Sequence, residues 1–164
     1  MQMPAFVQLL ARGAPLPPVA ALANAALARV LARHAQLFDR LGSHSGKTFA
    51  FVPADLPYAF VIRPAEHRIR VTRPNRLPRI DVTIRGPITT LLALAEGRVD
   101  GDAAFFSRGL SVDGDMEAAV ALRNAMDDCR IDLPSDLAPD GLLRWPVQAG
   151  LGAVRSAALG RGAP

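Results

Sequence analysis

Apolar positions recur at helical spacing in three stretches of the chain and at strand spacing between the first two. Residues 19 to 41 carry Leu22, Ala26, Val30, Leu37 and Leu41 near the helical period, and Leu27, Leu31 and Phe38 widen the stripe. Arg29, Arg33 and Arg40 lie mostly off it, and Pro17 and Pro18 stand before it, where proline suits a first helical turn. The spacing predicts an amphipathic helix whose apolar face is either core or a surface for a partner or membrane.

From Thr48 the period changes to two. "TFAFVP" and "YAFVIR" are joined by the turn-like "ADLP", and "HRIRVTR" follows after "PAE". In "RIRVT" and "RIDVTIR" the residues Ile69, Val71, Ile80, Val82 and Ile84 alternate with polar ones, which predicts one wet and one buried sheet face. Links this short require antiparallel neighbours, since a parallel return needs about a dozen residues or more. The expectation is a four-stranded meander.

Gly86-Pro87 opens "ITTLLALAEG", a helix with Ile88, Leu91, Leu92 and Ala95 on one face and Gly97 beyond its end. After "RVDGD" come "AAFFS" and "LSVDG". Asp115 then stands as N-cap of a helix with Ala118, Ala119, Leu122, Ala125, Met126 and Cys129 on its apolar side. The predicted class is α+β, with helices on one sheet face. The tail from Pro134 is rich in proline, glycine and alanine.

At 164 residues the chain fits one domain able to bury roughly 70% of its unfolded surface. Half of the residues are hydrophobic and mean hydropathy is +0.18, an apolar-rich globular composition. The stretch "PPVAALANAALARVLA" holds Asn24 and Arg29 and falls short of the ~20 residues of a membrane span. The N-terminal stretch also lacks a basic region before its apolar run, a poor match to a secretory signal. The expected location is cytoplasmic, peripheral to the inner membrane. One cysteine, Cys129, excludes an internal disulfide and a thiol-rich metal site, and its place on an apolar helix face suits packing.

The motifs that resemble catalytic signatures fail on context. "LGSHSGKT" ends like a phosphate-binding loop but has Leu41 where the first glycine belongs, and it runs from helix into strand. A surface turn is the expectation, with Lys47 exposed in it. "GSHSG" places His44 where a nucleophile would stand, and "GLGAVR" puts Arg155 at the third glycine of a dinucleotide fingerprint. His34, His44 and His67 lack ligand spacing and are expected to be solvated. Asp100, Asp102, Asp113, Asp115 and Glu117 lack the calcium-hand pattern, and turn and cap roles account for most of them. The expectation is a protein with no catalytic residues, metal or cofactor.

Net charge is +4, and Lys47 is the only lysine among 19 basic residues. Arg63, Arg68, Arg70, Arg73, Arg76, Arg79 and Arg85 crowd two strands and their connections, opposed by Glu66 and Asp81. The cluster suits a solvated sheet face, an anionic membrane surface touched by Arg68, Arg70 and Arg73, or nucleic acid. Single-strand binders interleave aromatics with arginine, and this stretch has none between Phe60 and Phe105. Lipid is therefore favoured over nucleic acid as the partner of such a surface.

Strand, Gly-Pro helix and capped helix follow one another through "GPITTLLALAEGRVDGDAAFFSRGLSVDGD", an order that resembles the sterol carrier protein type two lipid-binding domain. "DAAFFSRGLSVDGDMEAAVALRNAMD" is similar to the pattern "LFFxRxLxxxGDTExxxxxxNxMD" of its bacterial UbiT (YhbT) branch of ubiquinone biosynthesis accessory factors, with Met116 in place of the usual threonine. The resemblance covers about Thr48 to Leu133. It implies a five-stranded sheet with helices on one face enclosing an apolar tunnel, and a non-catalytic role in oxygen-independent ubiquinone synthesis. The implied ligand is an isoprenoid quinone intermediate or a phospholipid, and the implied protein partners are UbiU and UbiV. The expected tunnel wall is Phe60, Ile62, Leu91, Leu92, Phe105, Phe106, Ala119, Leu122 and Met126, the alternative being that these are ordinary core. The expected organisation is an N-terminal amphipathic helical segment over 1–45, the lipid-binding domain over 46–133 and the tail over 134–164.

Overall fold

The structure, a computed structural model, describes residues 15–97 and 109–133. Helix α1 spans Leu16–Arg33, with proline in its first turn, where the backbone N–H has no intrahelical acceptor to lose. It stops well before the predicted end at residue 41. Leu37, Phe38 and Leu41 are nonetheless buried, carried by consecutive tight turns in which Leu37 N–H donates to His34 and Leu41 N–H to Phe38. Turns closed by three-residue bonds keep every third side chain on one side, so spacing alone could not separate them from a continued α-helix. The buried face of α1 is Val19, Leu27 and Val30, whereas Leu22 is 62% exposed, contrary to the predicted stripe.

Strands β1 (Phe49–Pro53), β2 (Ala59–Arg63) and β3 (Arg68–Thr72) pair antiparallel through short links, as expected. Strand β4 (Val82–Gly86) departs from the meander. It lies on the far side of β1 and parallel to it, giving the five-stranded order β3-β2-β1-β4-β5, with β5 (Ser111–Gly114) antiparallel to β4. The sheet is therefore mixed rather than antiparallel. A parallel pair needs a long return, and here the β2–β3 hairpin and the crossover after it supply one.

That crossover, residues 73–81, passes over the sheet face expected to be wet. Leu77 and Ile80 pack on Ala50, Val52, Ala59 and Val61, and the fully buried Ala50 and Ala59 are small enough to admit the chain. Ile80 thus belongs to the opposite face from Val82 and Ile84, because the strand begins only after Asp81. Asp81 makes the junction. Its carboxylate accepts the Thr48 N–H at 2.7 Å, Thr48 carbonyl accepts from Asp81 and Val82 N–H, and Asp81 carbonyl accepts from Asp115 N–H. Gly114 faces the same carbonyl at φ +104°, so close that a β-carbon would overlap the Asp81 oxygen.

Helix α2 (Ile88–Ala95) starts after Pro87, where Asp55 accepts the Ile88 N–H at 2.9 Å, and ends with Gly97 in the left-handed region, both ends close to expectation. Helix α3 (Met116–Cys129) is capped as predicted, with the Asp115 carboxylate accepting from Ala118 N–H at 3.0 Å. Lys47, expected to stand exposed in a surface turn, pairs with the same carboxylate at 3.1 Å and fastens the turn before β1 to the start of α3. All three described helices pack against the face carrying Phe49, Val82 and Ile84, where the main core lies.

Ala118 N–H, then Lys47, hold the Asp115 carboxyl below its ordinary value, and the bond from Lys47 to Asp115 holds that ammonium above its own. A depressed carboxyl pKa stabilises the fold above the ordinary carboxylate range, and this contribution vanishes as pH falls through the folded-state value. Asp115→Ala should therefore lower Tm most at neutral pH, with the gap to the parent protein narrowing progressively as pH falls below the ordinary carboxylate range, as thermal melts across pH would show. Gly114→Ala should cost roughly 1–3 kcal/mol for its backbone conformation, plus the displacement of Asp81, measured by denaturant titration.

Candidate functional site

The buried sheet face presents registered rows of apolar side chains. Phe49 sits opposite Ile62, Ile62 opposite Ile69, and Phe51 opposite Phe60. The helices answer with matched spacings: Ala23, Ala26, Leu27 and Val30 on α1, Ile88, Leu91, Leu92 and Ala95 on α2, Leu122 and Met126 on α3. Each set recurs at three- and four-residue steps, one face of a helix. Between sheet and helices these residues enclose a cavity of about 280 Å³, completed by Ile131 and Leu133 beyond α3.

Among the described residues no ionisable side chain lines this cavity. Its volume exceeds the ~150 Å³ of engineered apolar cavities that stay dry and take up benzene, and it approaches the ~300 Å³ at which small-ligand sites begin. The alanines at 23, 26 and 95 leave the space. Facing the aromatic rings of Phe49, Phe51 and Phe60, they are too short to close the gap that larger residues would fill. Walls of this kind suit an apolar chain, and among the described residues they offer no charged group to orient a polar head.

Of the wall anticipated from sequence, Phe60, Ile62, Leu91, Leu92, Leu122 and Met126 come together here. Ala119 does not line the cavity. It is buried in the core one helical turn before Arg123. Phe105 and Phe106 lie outside the described residues, as do Asp100 and Asp102. The wall contributed by α1 was missed as a site, although Ala26, Leu27 and Val30 stood in the predicted apolar stripe. The available signal was alanine repeating on the inner side of an otherwise leucine- and valine-bearing helix.

The remaining candidates separate by environment. Arg68 and Arg70 project from the opposite face of β3 and are exposed, whereas Arg73 lies 5.2 Å over the Tyr58 ring and donates to Pro57 carbonyl at 3.1 Å. His67 is exposed, as expected, and also stacks on Phe38 with ring centroids 5.6 Å apart. His44 and His34 are half-buried, and no cluster of metal-binding side chains occurs among the described residues. Cys129 packs against the core, where burial pushes its thiol above the ordinary value, a direction that disfavours the reactive thiolate. Among the described residues no helix is long and apolar enough to cross a membrane.

Comparison with known proteins gives a profile match over residues 24–127 to the family described as the SCP-2 sterol transfer family. No curated protein matches the chain. Among solved structures, a UbiJ-SCP2 ubiquinone synthesis protein superposes with a TM-score of 0.56 at 21% identity, covering 72% of this chain and 97% of its own, a likeness of fold. The sterol carrier protein domain 2 of Helicoverpa armigera gives a TM-score of 0.45 at 16% identity, covering 78% of this chain and 89% of its own. Sterol carrier protein 2 from Yarrowia lipolytica gives 0.45 at 13%, covering 70% and 94%.

The contrast between Ala26 and Ala119 tests the chamber. Ala119→Phe should cost about 1–3 kcal/mol through overpacking, while Ala26→Phe, whose ring has room in the cavity, should cost clearly less in denaturant titration. Equal losses would mean that the space at Ala26 is already filled by the protein.

Proposed function

The chain belongs to the SCP-2 sterol transfer family, and on that premise we propose that it is a non-catalytic carrier whose apolar cavity is the described part of a tunnel for a lipid tail. The observation that carries this reading is the uniformly apolar wall built by three helices and one sheet face. A tail burying ~400 Å² gains about 10 kcal/mol at ~25 cal/mol per Å². Costs of association of ~4–15 kcal/mol take up much of this, so apolar walls alone suffice for reversible binding.

The ligand class we propose is an isoprenoid quinone intermediate or a phospholipid, handled in oxygen-independent ubiquinone synthesis beside UbiU and UbiV. Two features support that setting: the similarity of residues 102–128 to the UbiT pattern, and the fold shared with a protein named for ubiquinone synthesis. The location we propose is the cytoplasmic side of the inner membrane.

The purified protein should carry a long-chain lipid detectable by native mass spectrometry and organic extraction, and polyprenyl compounds should displace it. Ala26→Phe should retain the fold and lose most of the bound lipid, and cells bearing it should make less ubiquinone without oxygen. Repeated recovery of lipid-free parent protein with no affinity for such compounds would overturn the reading.

A further inference from the structure

The sheet carries a second concavity, on the side away from the helices. A groove of about 300 Å³ runs along the outer face of β2 and β3, closed on one flank by Pro78 and Arg79 of the crossover and on the other by Ala20 and Asn24 of α1. Asn24 makes that flank firm. Its amide accepts from Ile69 N–H at 2.9 Å and donates to Ile69 carbonyl at 2.8 Å, occupying part of the free edge of β3.

Four arginines line this groove, Arg63, Arg68, Arg70 and Arg79, against one carboxylate, Glu66. Glu66 is committed to Arg63, 2.6 Å away, and Arg63 also reaches the Thr48 hydroxyl. Among the described residues neither a carboxylate nor a carbonyl pairs with Arg68, Arg70 or Arg79. Three uncompensated guanidinium groups in one concave site repel one another, and an anion of matching size relieves that repulsion.

We infer that this groove is a binding site for a phosphate group. Arginine presents planar, paired donors that match phosphate oxygens two at a time, and arginines that line one groove from β3 and from the crossover can meet one phosphate from different elements. The size suits a small anionic group, at the lower end of the range of small-ligand sites. Single-stranded nucleic acid is disfavoured because, among the described residues, no aromatic side chain lines the groove to stack on a base. The site comprises Arg68 and Arg70 with Arg79, while Arg73 is tied to Tyr58 and Pro57. It lies on the opposite sheet face from the apolar cavity, so it stands whether or not a lipid fills that cavity.

Two probes distinguish the source of the phosphate. The full chain is titrated with inorganic pyrophosphate by calorimetry, and in parallel mixed with vesicles of phosphatidylglycerol or of phosphatidylcholine. Arg70→Gln should weaken the binding about tenfold or more, as loss of a charge-assisted contact does, while Arg85→Gln, the same charge change on the same sheet face outside the groove, should leave it nearly intact. Glu66→Gln frees Arg63 and should strengthen binding severalfold, an effect that a misfolded variant would not produce. Saturable binding of pyrophosphate with this pattern assigns the groove to a soluble phosphate compound, and the pattern on phosphatidylglycerol vesicles alone assigns it to a lipid headgroup. Binding in neither arm, equal loss in Arg70→Gln and Arg85→Gln, or stronger competition by a single-stranded oligonucleotide would overturn the inference.

Discussion

The junction between Thr48 and Asp81 decides how the two halves of the chain meet. The Asp81 carboxylate takes the Thr48 N–H while Thr48 carbonyl takes the amides of Asp81 and Val82, so β4 is delivered beside β1 in parallel register. Asp81 carbonyl then receives Asp115 N–H, whose side chain caps α3. One residue thus aligns the strand that follows it, the partner strand and the helix that closes the cavity. Gly114 is required beside it because any side chain would occupy the place of the carbonyl.

The consequences appear on both faces of the sheet. To reach β4 the chain must cross β2 and β1, and alanine at positions 50 and 59 lets Leu77 and Ile80 lie flat against them. The same crossover brings Arg79 towards Arg68 and Arg70. On the other face, the parallel alignment puts α2 over β1 and β4 and α3 over β4 and β5, while Asn24 holds α1 over the edge of β3. Three helices propped at different places on a twisted sheet do not close by themselves, and the alanines of α1 and α2 do not fill what remains. An unfilled apolar volume normally costs stability, since its lining atoms lose dispersion partners. A ligand tail would restore those contacts, and this links the packing to the proposed carrier role.

Much of the local structure was legible from residue chemistry alone. Proline before α1 and α2, Asp115 before α3 and Gly97 after α2 mark element ends because backbone N–H and C=O groups there need substitutes for helical partners. Alternation identified the three hairpin strands, and their short links allowed no other pairing. Six of the anticipated wall residues converge on one cavity, since helical and strand periodicity already placed them on the inner faces of their elements.

Tertiary structure alone decided the rest. The parallel position of β4 depends on a carboxylate meeting an amide 33 residues away, a contact with no trace in local periodicity. Spacing could not show that α1 ends at Arg33, because tight turns bury Leu37 and Leu41 on the same side as a continued helix would. Nor could it tell Ala26, which borders open volume, from Ala119, which is buried in the core away from it. The sequence determines which side chains avoid water, through periodicity and the hydrophobic effect. Whether a buried side chain meets another or borders a cavity is set by the distance between elements, and that distance is fixed only when they are assembled.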